Sequence, residues 1–462
     1  SDKCEQDSGD FQDGNLPWPL LQLITLRALD LSLLYVVPLV VMLAVYVGIR
    51  SRTRSQHKSV QVAAIKEGRT EPPSLHPVID PLACIGSGSC VKACPEQALG
   101  MIDNRAVLVD PASCIGHGAC MAACSFSAIK LVFGTERRGI DIPNVKPNFE
   151  SNVSGIFIAG ELGGMGLIRK AAEQGCQAVS SISESLKSAA KRAKEFDWDV
   201  VIVGAGPAGI AAALTAKSMG LRYVVLEQEA ALGGTVFHYP RRKVVMTAPV
   251  NLPLVGKLKF GEVSKETLLE TWQHIHESQK LHVEFSQPMH RLTKVSDGFV
   301  IHSPTHNFSA ARVLLAIGRR GTPRKLGVDG EEQSKVVYRL TEPEQYSGRD
   351  VLIVGGGDSA VEAALAVAGA GARAGLSYRG DSISRAKPKN LEALASAARD
   401  GRVRLMMQSQ INAIAQDHVE MTSPDGRKSI ANDDVIVCAG GVLPKDILES
   451  AGIAFTTKRG EA

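Results

Sequence analysis

The sequence predicts an α/β protein with two nucleotide-binding units, a small α+β unit rich in cysteine, and one transmembrane helix. Three observations support this prediction. An uncharged apolar run lies near the N-terminus, six cysteines crowd between residues 84 and 124, and two glycine motifs each follow an apolar strand. With 462 residues, of which 44% are apolar, the chain is long enough for about three domains.

The apolar run extends from Leu31 to Ile49 and contains 19 residues without a charge. A helix of this length spans about 28 Å, close to the hydrocarbon thickness of a bilayer. Pro38 is expected to kink such a helix without preventing it. A buried helix of a soluble domain and a cleaved signal peptide are the alternatives. The signal peptide is disfavoured because no small-residue cleavage site follows the run.

Charge on the two sides of this run predicts its orientation. Basic residues follow it, whereas the residues before it are mostly acidic: Arg50, Arg52, Arg54 and Lys58 against Asp2, Glu5, Asp7, Asp10 and Asp13. The positive-inside rule then makes residues 1–30 extracytoplasmic, residues 31–49 a single pass through the inner (cytoplasmic) membrane, and the catalytic remainder cytoplasmic. A net charge of +4 gives no reason to expect a nucleic-acid partner.

A polar linker, residues 50–75, leads to the cysteine block. The stretches CIGSGSCVKACPEQAL and CIGHGACMAACSFSAI begin 30 residues apart, and each reads C-x5-C-x3-C, so one unit has been duplicated. Cysteines crowded in this way within a long chain indicate metal ligation in a reducing compartment. Zinc is a competing interpretation, but zinc sites favour C-x2-C pairs and the sequence has none. The predicted thiolate ligands are Cys84, Cys90, Cys94, Cys114, Cys120 and Cys124.

Residues 76–133 resemble the two-cluster bacterial ferredoxins, whose run is C-x2-C-x2-C-x3-C-P. The second cysteine of that run is replaced by Ser87 in the first repeat and by His117 in the second. The resemblance implies crossed ligation: one cluster uses Cys84, Cys90 and Cys124, with Ser87 at the vacant corner. The other uses Cys94, Cys114 and Cys120, with His117 there. Three thiolates suffice for [3Fe-4S], whereas an imidazole at the fourth iron would keep [4Fe-4S]. We expect His117 to ligate and Ser87 to be a loop residue.

The first glycine motif lies in DWDVVIVGAGPAGIAAALTAKSMGLRYVVLEQ, a strand, a turn, a helix and a second strand. In such Rossmann units Gly204 makes the tight turn, Gly206 lets the backbone approach a pyrophosphate, and Gly209 allows close helix packing. Glu227 falls at the end of the second strand, where a carboxylate accepts from ribose hydroxyls.

The second motif, between Arg349 and Arg385, places Gly355, Gly357 and Ala360 in the pattern G-x-G-x-x-G/A. Its second strand ends without an acid and is followed by Arg379 and Arg385. Loss of the carboxylate and gain of arginine favour a 2′-phosphate, and therefore NADPH over NADH.

Residues 134–462 resemble the thioredoxin-reductase-like flavoproteins, closest to the subgroup of bacillithiol-disulfide-reductase-like proteins. The resemblance rests on the two motifs in this order, on LGGTVFHYPRRK after the first, and on VLLAIGRRGTPRKLGVDGE before the second. It implies FAD on residues 197–325, NAD(P)H on residues 326–435, and a return to the FAD domain over residues 436–462. Gly233, Gly234 and Thr235 would approach the flavin, and Gly318 would lie at the crossover between domains.

In that family a flavin-contacting segment ends the chain. Here the matching segment, NFESNVSGIFIAGE, precedes the first motif. We therefore interpret residues 134–190 as a circularly permuted part of the FAD domain. In the family the final dipeptide reads Gly-Asp, and here it is Gly160-Glu161, so the resemblance implies that Glu161 holds the ribityl chain. The following helix would point its N-terminal amides at the flavin.

No C-x-x-C pair is present, so a thioredoxin-type disulfide relay is excluded. The remaining branch resembles the thioredoxin-reductase-like ferredoxin–NAD(P)⁺ reductases. It implies electron flow from NAD(P)H to FAD, to two iron–sulfur clusters and to an unknown acceptor, or the reverse. A membrane-bound acceptor is one option. No catalytic side chain is predicted, because the cofactors carry the chemistry. A homodimer is a further implication. The rival functions are a disulfide reductase acting directly from flavin, and a non-enzymatic redox or iron sensor.

Overall fold

The computed structural model describes residues 18–72, 75–116, 118–164, 166–187, 195–239, 241 and 243–460. This part of the chain forms a long N-terminal helix, a small cysteine-rich unit and two α/β units. The predicted α/β class, with two α/β units and a small α+β unit, is therefore confirmed.

The N-terminal helix is longer than the predicted span. Helix α1 runs over Trp18–Lys66 without a break at Pro38. Residues 50–66 are thus helical, and only the few residues after them fit the predicted linker. The reason is local, because RSRTRSQHKSVQVAAIK contains neither glycine nor proline. Within the described residues, Tyr35–Lys66 is the segment long and apolar enough to cross a membrane, and its apolar window is 0% buried. Signal sequences share this length and composition.

The cysteine-rich unit consists of two strand pairs and two short helices. Its elements are β1 (Leu75–Ile79), α2 (Ser89–Lys92), β2 (Leu99–Ile102), β3 (Arg105–Leu108), α3 (Ala119–Ala122) and β4 (Ile129–Phe133). Strands β1 and β4 pair antiparallel, as do β2 and β3. In each repeat the second cysteine is the second residue of a short helix, so the duplicated motif gives a duplicated structure.

Helix α1 supports this unit directly. The amide of Met101 donates to His57 Nδ1 at 2.9 Å, and Ala64 is fully buried. Beyond the helix, the buried side chain of Arg69 pairs with Asp110. The C-terminal half of α1 and the residues just after it therefore pack on the cysteine-rich unit.

The first α/β unit begins before the first glycine motif. Its elements are β5 (Ile140–Pro143), β6 (Ile156–Ile158), α4 (Ile168–Lys187), β7 (Trp198–Val203), α5 (Pro207–Ser218), β8 (Tyr223–Leu226), β9 (Val244–Met246), β10 (Val250–Leu252), β11 (Gly256–Leu258), β12 (Glu262–Ser264), α6 (Lys265–Gln279), β13 (Val283–Glu284), β14 (Arg291–Lys294), β15 (Phe299–His302) and β16 (Asn307–Leu315).

The main sheet of this unit has the order β13-β8-β7-β16-β15-β14, and β6 adds to β16 in parallel. Helix α4 buries its apolar side on the same core as α5. Its Gly175 makes that approach possible, since a Cβ there would lie 2.9 Å from the carbonyl carbon of Ala208. Residues 156–187 are thus an integral part of this unit.

The second α/β unit follows the crossover. Its elements are β17 (Thr322–Pro323), β18 (Val336–Val337), β19 (Asp350–Val354), α7 (Asp358–Gly369), β20 (Arg373–Ser377), α8 (Pro388–Arg399), β21 (Val403–Met406), β22 (Gln410–Ile414), β23 (His418–Ser423), β24 (Gly426–Ala431) and β25 (Asp434–Val437). A parallel sheet, β18-β25-β19-β20-β21, is covered by α7 and α8, and β22, β23 and β24 form a separate antiparallel sheet.

The chain then returns to the first unit through β26 (Gly441–Val442), α9 (Lys445–Ser450) and β27 (Phe455–Lys458). The predicted boundary at residues 435 and 436 falls inside β25, which pairs with β19 as far as Val437. The boundary is therefore corrected to the residues after Val437. Strand β27 pairs antiparallel with β5, so the C-terminal segment joins the residues that follow the cysteine block.

Candidate functional site

The turn between β7 and α5 forms an open cradle at a helix N-terminus. Gly204 has φ 105°, a conformation that favours glycine. Gly209 packs against the turn itself, because a Cβ there would overlap the carbonyl oxygen of Gly204. Gly206 faces open space, and the nearest atom to a Cβ there is Gly234 Cα at 3.8 Å. Helix α5 begins at Pro207, so its free amides point into this space.

A second loop closes the opposite side of the cradle. The amide of Gly233 donates to the carbonyl of Ala205 at 3.0 Å. Gly233 and Gly234 both have positive φ, and Thr235 lies in the 3₁₀ turn that follows. The sequence-predicted residues of this loop therefore do face the glycine turn.

Glu227 is buried at the end of β8. One carboxylate oxygen accepts from the amide of Ala205 at 2.7 Å, and the other accepts from the amide of Glu229 at 3.0 Å. Burial raises the pKa of Glu227, and these amides oppose that rise. Each oxygen keeps a further lone pair, so the group can accept from hydroxyls.

The segment after β6 meets this cradle. Gly160 has φ 80°, and its amide donates to Gln174 Oε1 at 2.9 Å. A Cβ on Gly160 would lie 3.1 Å from Ala208 Cβ, so its backbone lies against the start of α5. The segment that precedes the first glycine motif in sequence is thus beside it in space.

Glu161 lies between this segment and the crossover. A Cβ on Gly318 would be 3.7 Å from both Glu161 Oε2 and Thr235 Oγ1. Burial raises the pKa of Glu161, whereas the amide of Arg319 and the charges of Arg319 and Arg320 act against the rise. Residues from three separate stretches of sequence therefore converge here.

The second glycine turn has its own open helix N-terminus. Gly357 precedes α7, and a Cβ there would meet nothing within 4 Å. Gly355 packs near the fully buried Ala360, with 3.1 Å between its built Cβ and Ala360 Cβ. The ring of Tyr378 covers the intervening Gly356, with 2.5 Å between Tyr378 Cζ and a built Cβ.

The two predicted arginines lie beside this turn. Arg385 forms a β-bridge with Gly357, and both Arg379 and Arg385 are exposed. Within the described residues, neither arginine forms an ion pair with a carboxylate. Ser377, at the end of β20, is buried and hydrogen-bonded to Ser409, so it does not replace the missing acid.

The six cysteines separate into two cavities. Cys84, Cys90 and Cys124 line the first cysteine cavity. Cys94, Cys114 and Cys120 line the second cysteine cavity, with apolar neighbours. Each cavity thus takes two cysteines from one repeat and one from the other, as crossed ligation requires.

Only one of the two residues predicted at the fourth corner of a cluster lies in the described part of the chain. Ser87 lines the first cysteine cavity, with its hydroxyl 3.3 Å from Ser89 Oγ. His117 lies outside the described residues. Within the described residues, no group of three or more His, Cys, Asp or Glu is arranged to hold a single metal ion.

Three of the six thiols are buried, those of Cys90, Cys114 and Cys120. Burial raises the pKa of Cys90 and Cys114 and raises that of Cys120 to about 11. Burial therefore disfavours the thiolate form of these three cysteines, and a bound cluster would favour it.

The other described cysteines are single and structural. Cys176 lies on α4 with its Sγ 3.8 Å from the carbonyl of Ala211. Burial raises the pKa of Cys438 to about 11. Both are therefore poor nucleophiles.

A protein-family model described as "Pyridine nucleotide-disulphide oxidoreductase" matches residues 201–461, more than half of the chain. The chain belongs to this family. A second model, described as "4Fe-4S dicluster domain", matches residues 76–125 of this oxidoreductase.

Two curated relatives match the oxidoreductase over similar lengths. A ferredoxin–NADP reductase from Ignicoccus hospitalis is 28% identical over 268 residues, which cover 56% of this chain and 83% of the relative. The bacilliredoxin reductase Bdr from Bacillus subtilis is 26% identical over 267 residues, covering 56% and 82%. Among solved structures, a bacillithiol disulfide reductase from Staphylococcus aureus has a TM-score of 0.50 at 23% identity, covering 56% and 84%.

The protein is therefore an FAD-dependent oxidoreductase that uses NAD(P), as predicted. Its dicluster domain is of the 4Fe-4S type, one of the two cluster types that the sequence left open. The donor groups fit these cofactors. Each cysteine cavity offers three sulfurs, and both glycine turns leave room at a helix N-terminus. Arg319 adds a further polar group, because its Nη1 is buried without a partner among the described residues.

Three residues of the site were not predicted from sequence. Gln174 holds the amide of Gly160, Arg319 donates through Nη2 to the carbonyl of Asp141 at 2.8 Å, and Tyr378 covers the second glycine turn. Arg319 and Tyr378 are next to predicted site residues in the sequence, and this position could have indicated them. Gln174 lies on a helix, and no motif in the sequence pointed to it.

Proposed function

We propose that this oxidoreductase is anchored in a membrane and carries electrons from NAD(P)H by way of FAD to its two clusters and then to an acceptor. The observation that supports this order is the course of β4. Ile129 borders the first cysteine cavity, Leu131 borders the second, and Phe133 ends the strand against Gly164. Gly164 closes the 3₁₀ turn that contains Glu161. The same arrangement would serve the reverse direction, as in a ferredoxin–NADP reductase.

The contact at Phe133 is close. A Cβ on Gly164 would lie 2.8 Å from Phe133 Cε1, and the amide of Gly460 donates to the carbonyl of Phe133 at 2.8 Å. Strand β5 continues from here and pairs with β27. These contacts of Phe133 support the placement of the second cysteine cavity on the side of the candidate flavin site.

When bound, the nicotinamide supplies a hydride, the flavin converts electron pairs to single electrons, and the clusters carry single electrons. The protein contributes binding and orientation. In this proposal Gly206 and the amides of α5 hold the pyrophosphate of FAD, and Glu227 accepts from ribose hydroxyls. Gly160 and Glu161, with Gly233, Gly234, Thr235 and Gly318, line the flavin.

For the nicotinamide nucleotide, Gly355, Gly357 and Ala360 form the second phosphate turn. Arg379 and Arg385 hold a 2′-phosphate, which gives the preference for NADPH. The bridge between Gly357 and Arg385 supports this assignment, because it brings the backbone of Arg385 to the phosphate turn.

In the clusters, Cys84, Cys90 and Cys124 ligate one and Cys94, Cys114 and Cys120 ligate the other. His117 is proposed as the fourth ligand of the second cluster, and Ser87 as a loop residue beside the first.

We also propose that the flavin-binding domain is circularly permuted. The pairing of β6 with β16 and the packing of α4 on α5 support this, together with a family match that begins only at residue 201. Membrane anchoring by residues 31–49, with the cofactor domains in the cytoplasm, is supported by the exposed apolar side chains of α1 and the basic residues that follow them.

The test uses the full chain in lipid nanodiscs, loaded with FAD and iron–sulfur clusters under anaerobic conditions. Cluster signals are first recorded by electron paramagnetic resonance after chemical reduction. NADPH or NADH then replaces the chemical reductant, and flavin absorbance is followed in parallel. We expect the flavin to bleach and reduced-cluster signals to appear, with NADPH effective at lower concentration.

Cysteine variants sharpen this experiment. Cys90→Ser and Cys120→Ser should each change one cluster signal and leave the other, whereas Cys176→Ser, away from both cavities, should change neither. Flavin bleaching without any cluster reduction would contradict the proposed order.

One alternative has specific support. Similarity to the bacilliredoxin reductase favours a disulfide reductase that acts directly from flavin. With a low-molecular-weight disulfide as substrate, this alternative predicts turnover that Cys90→Ser and Cys120→Ser leave unchanged.

A further inference from the structure

Three large apolar side chains in the loops of the cysteine-rich unit are exposed. Leu82 is 91% exposed, Ile85 is 63% exposed and Phe126 is 52% exposed. Ile85 and Phe126 also line the first cysteine cavity. Apolar side chains gathered on a surface in this way mark a contact with another apolar phase. We call these three residues the apolar tip.

The apolar tip lies at the end of the unit nearest the membrane span. Asp103, in the turn between β2 and β3, pairs with Arg54 of α1. The carbonyl of the next residue, Asn104, lies against Gly86 in the loop that follows Ile85. Arg54 is five residues after Ile49, which is about 7.5 Å along a helix. The loop beside the first cysteine cavity is therefore close to the end of the apolar span.

The other end of the unit points away from the span. Strands β2 and β3 run along α1, with His57 against Gly100 and, farther along the chain, Arg69 paired with Asp110. The first cysteine cavity is bordered by Ala106 near the turn, and the second by Leu99 and Leu108 away from it. The two cavities are thus ordered along α1 from the span outward.

Charge around the apolar tip suits anionic headgroups. Arg50, Arg52, Lys58 and Arg105 are exposed at this level of the molecule. Two carboxylates are exposed there too: Asp103 is paired with Arg54, and Asp80 accepts from the amide of Leu82 at 2.8 Å. Basic residues next to a membrane span bind anionic lipids.

We infer that the apolar tip formed by Leu82, Ile85 and Phe126 lies in the headgroup region of the membrane that α1 crosses. The inference rests on the proposed anchoring by residues 31–49. It places the first cysteine cavity at the lipid surface and the second on the side of the flavin. An acceptor that reaches the first cysteine cavity is then one confined to the membrane.

The test measures tryptophan depth in liposomes that contain phosphatidylglycerol and brominated lipids. Leu82→Trp and Phe126→Trp are introduced into the full chain and compared with the parent, which has three tryptophans. Tyr46→Trp, within the span, reports anchoring alone. Met219→Trp is the matched control, because Met219 is 44% exposed on the first α/β unit.

We expect bromine to lower the emission of the added indole about twofold at positions 46, 82 and 126, and to leave position 219 unchanged. Quenching at position 46 without quenching at positions 82 and 126 would overturn the inference but keep the anchoring. This is the result expected if a protein partner covers the apolar tip. No quenching at position 46 overturns the anchoring itself, and the inference with it.

Discussion

Two glycines of the first motif should respond in opposite ways to the same substitution. At Gly206 the backbone has φ −77°, which alanine adopts without strain, and the nearest protein atom to a Cβ lies at 3.8 Å. At Gly209 a Cβ would lie closer than 3.0 Å to Gly204 O, a separation that real Cβ atoms do not adopt. The first position is therefore open to ligand, and the second is filled by the protein.

The magnitudes follow from these surroundings. Gly206→Ala should keep the stability of the apoprotein or raise it by about 0.5 kcal/mol, because alanine restricts the unfolded chain. Its methyl group would stand where the pyrophosphate approaches, so FAD affinity should fall at least about tenfold, or about 1.4 kcal/mol. Gly209→Ala should destabilise the first α/β unit by about 1–3 kcal/mol through overpacking.

The assay combines urea unfolding of the apoprotein with FAD titration by flavin fluorescence. Trp272 is fully buried in the same unit, so its emission reports unfolding there. Gly261→Ala is the control, since a Cβ there meets nothing within 4 Å and the residue lies outside the cradle. Unchanged FAD affinity in Gly206→Ala would refute the assignment of this turn to the pyrophosphate.

Three further predictions concern nucleotide choice, pH and helix packing. Arg385→Ala should raise the KM for NADPH by about tenfold or more and leave that for NADH unchanged, because only a 2′-phosphate needs the charge; equal effects on both would contradict it. Burial and the neighbouring Arg339 lower the pKa of His238 to about 3. Because the unfolded state then binds the extra proton, stability should fall as pH drops from about 6.5 towards 3, by up to about 1.4 kcal/mol per pH unit. His238→Gln should flatten this slope in urea titrations, and an unchanged slope would assign it to other groups. Gly175→Ala should destabilise the α4–α5 contact by about 1–3 kcal/mol in calorimetry, since Ala208 leaves no room for a Cβ; an unaltered Tm would show that α4 packs elsewhere.

The sequence predicts those features that depend on residues close together in the chain. A strand, a glycine turn and a helix occupy neighbouring residues, so the spacing of Gly204, Gly206 and Gly209 already specifies a nucleotide-binding unit. The cysteine repeats likewise specify two clusters, because ligand loops are short. An apolar run without charges specifies a helix able to span a bilayer, whatever the rest of the chain does.

Tertiary structure decided what distant residues do together. Helix α1 continues to Lys66 and holds the cysteine-rich unit through His57, a contact that joins residues 44 positions apart. Arg319 and Glu161 meet although long stretches of chain separate them. Such meetings depend on how sheets and helices pack, which no local pattern encodes.

The order of the two cysteine cavities shows this division most clearly. The repeats differ at Ser87 and His117, but they do not say which cavity faces which part of the molecule. Only the fold gives the cavities an order: β4 leads from the second cavity to Gly164, and the turn at Asp103 leads from the first to α1. The sequence by itself determined the cofactors and the units that bind them. Packing between the units determined which cysteine cavity faces α1 and which faces the first α/β unit. The physical reason is that ligand chemistry depends on neighbouring residues, whereas direction depends on contacts between elements far apart in the chain.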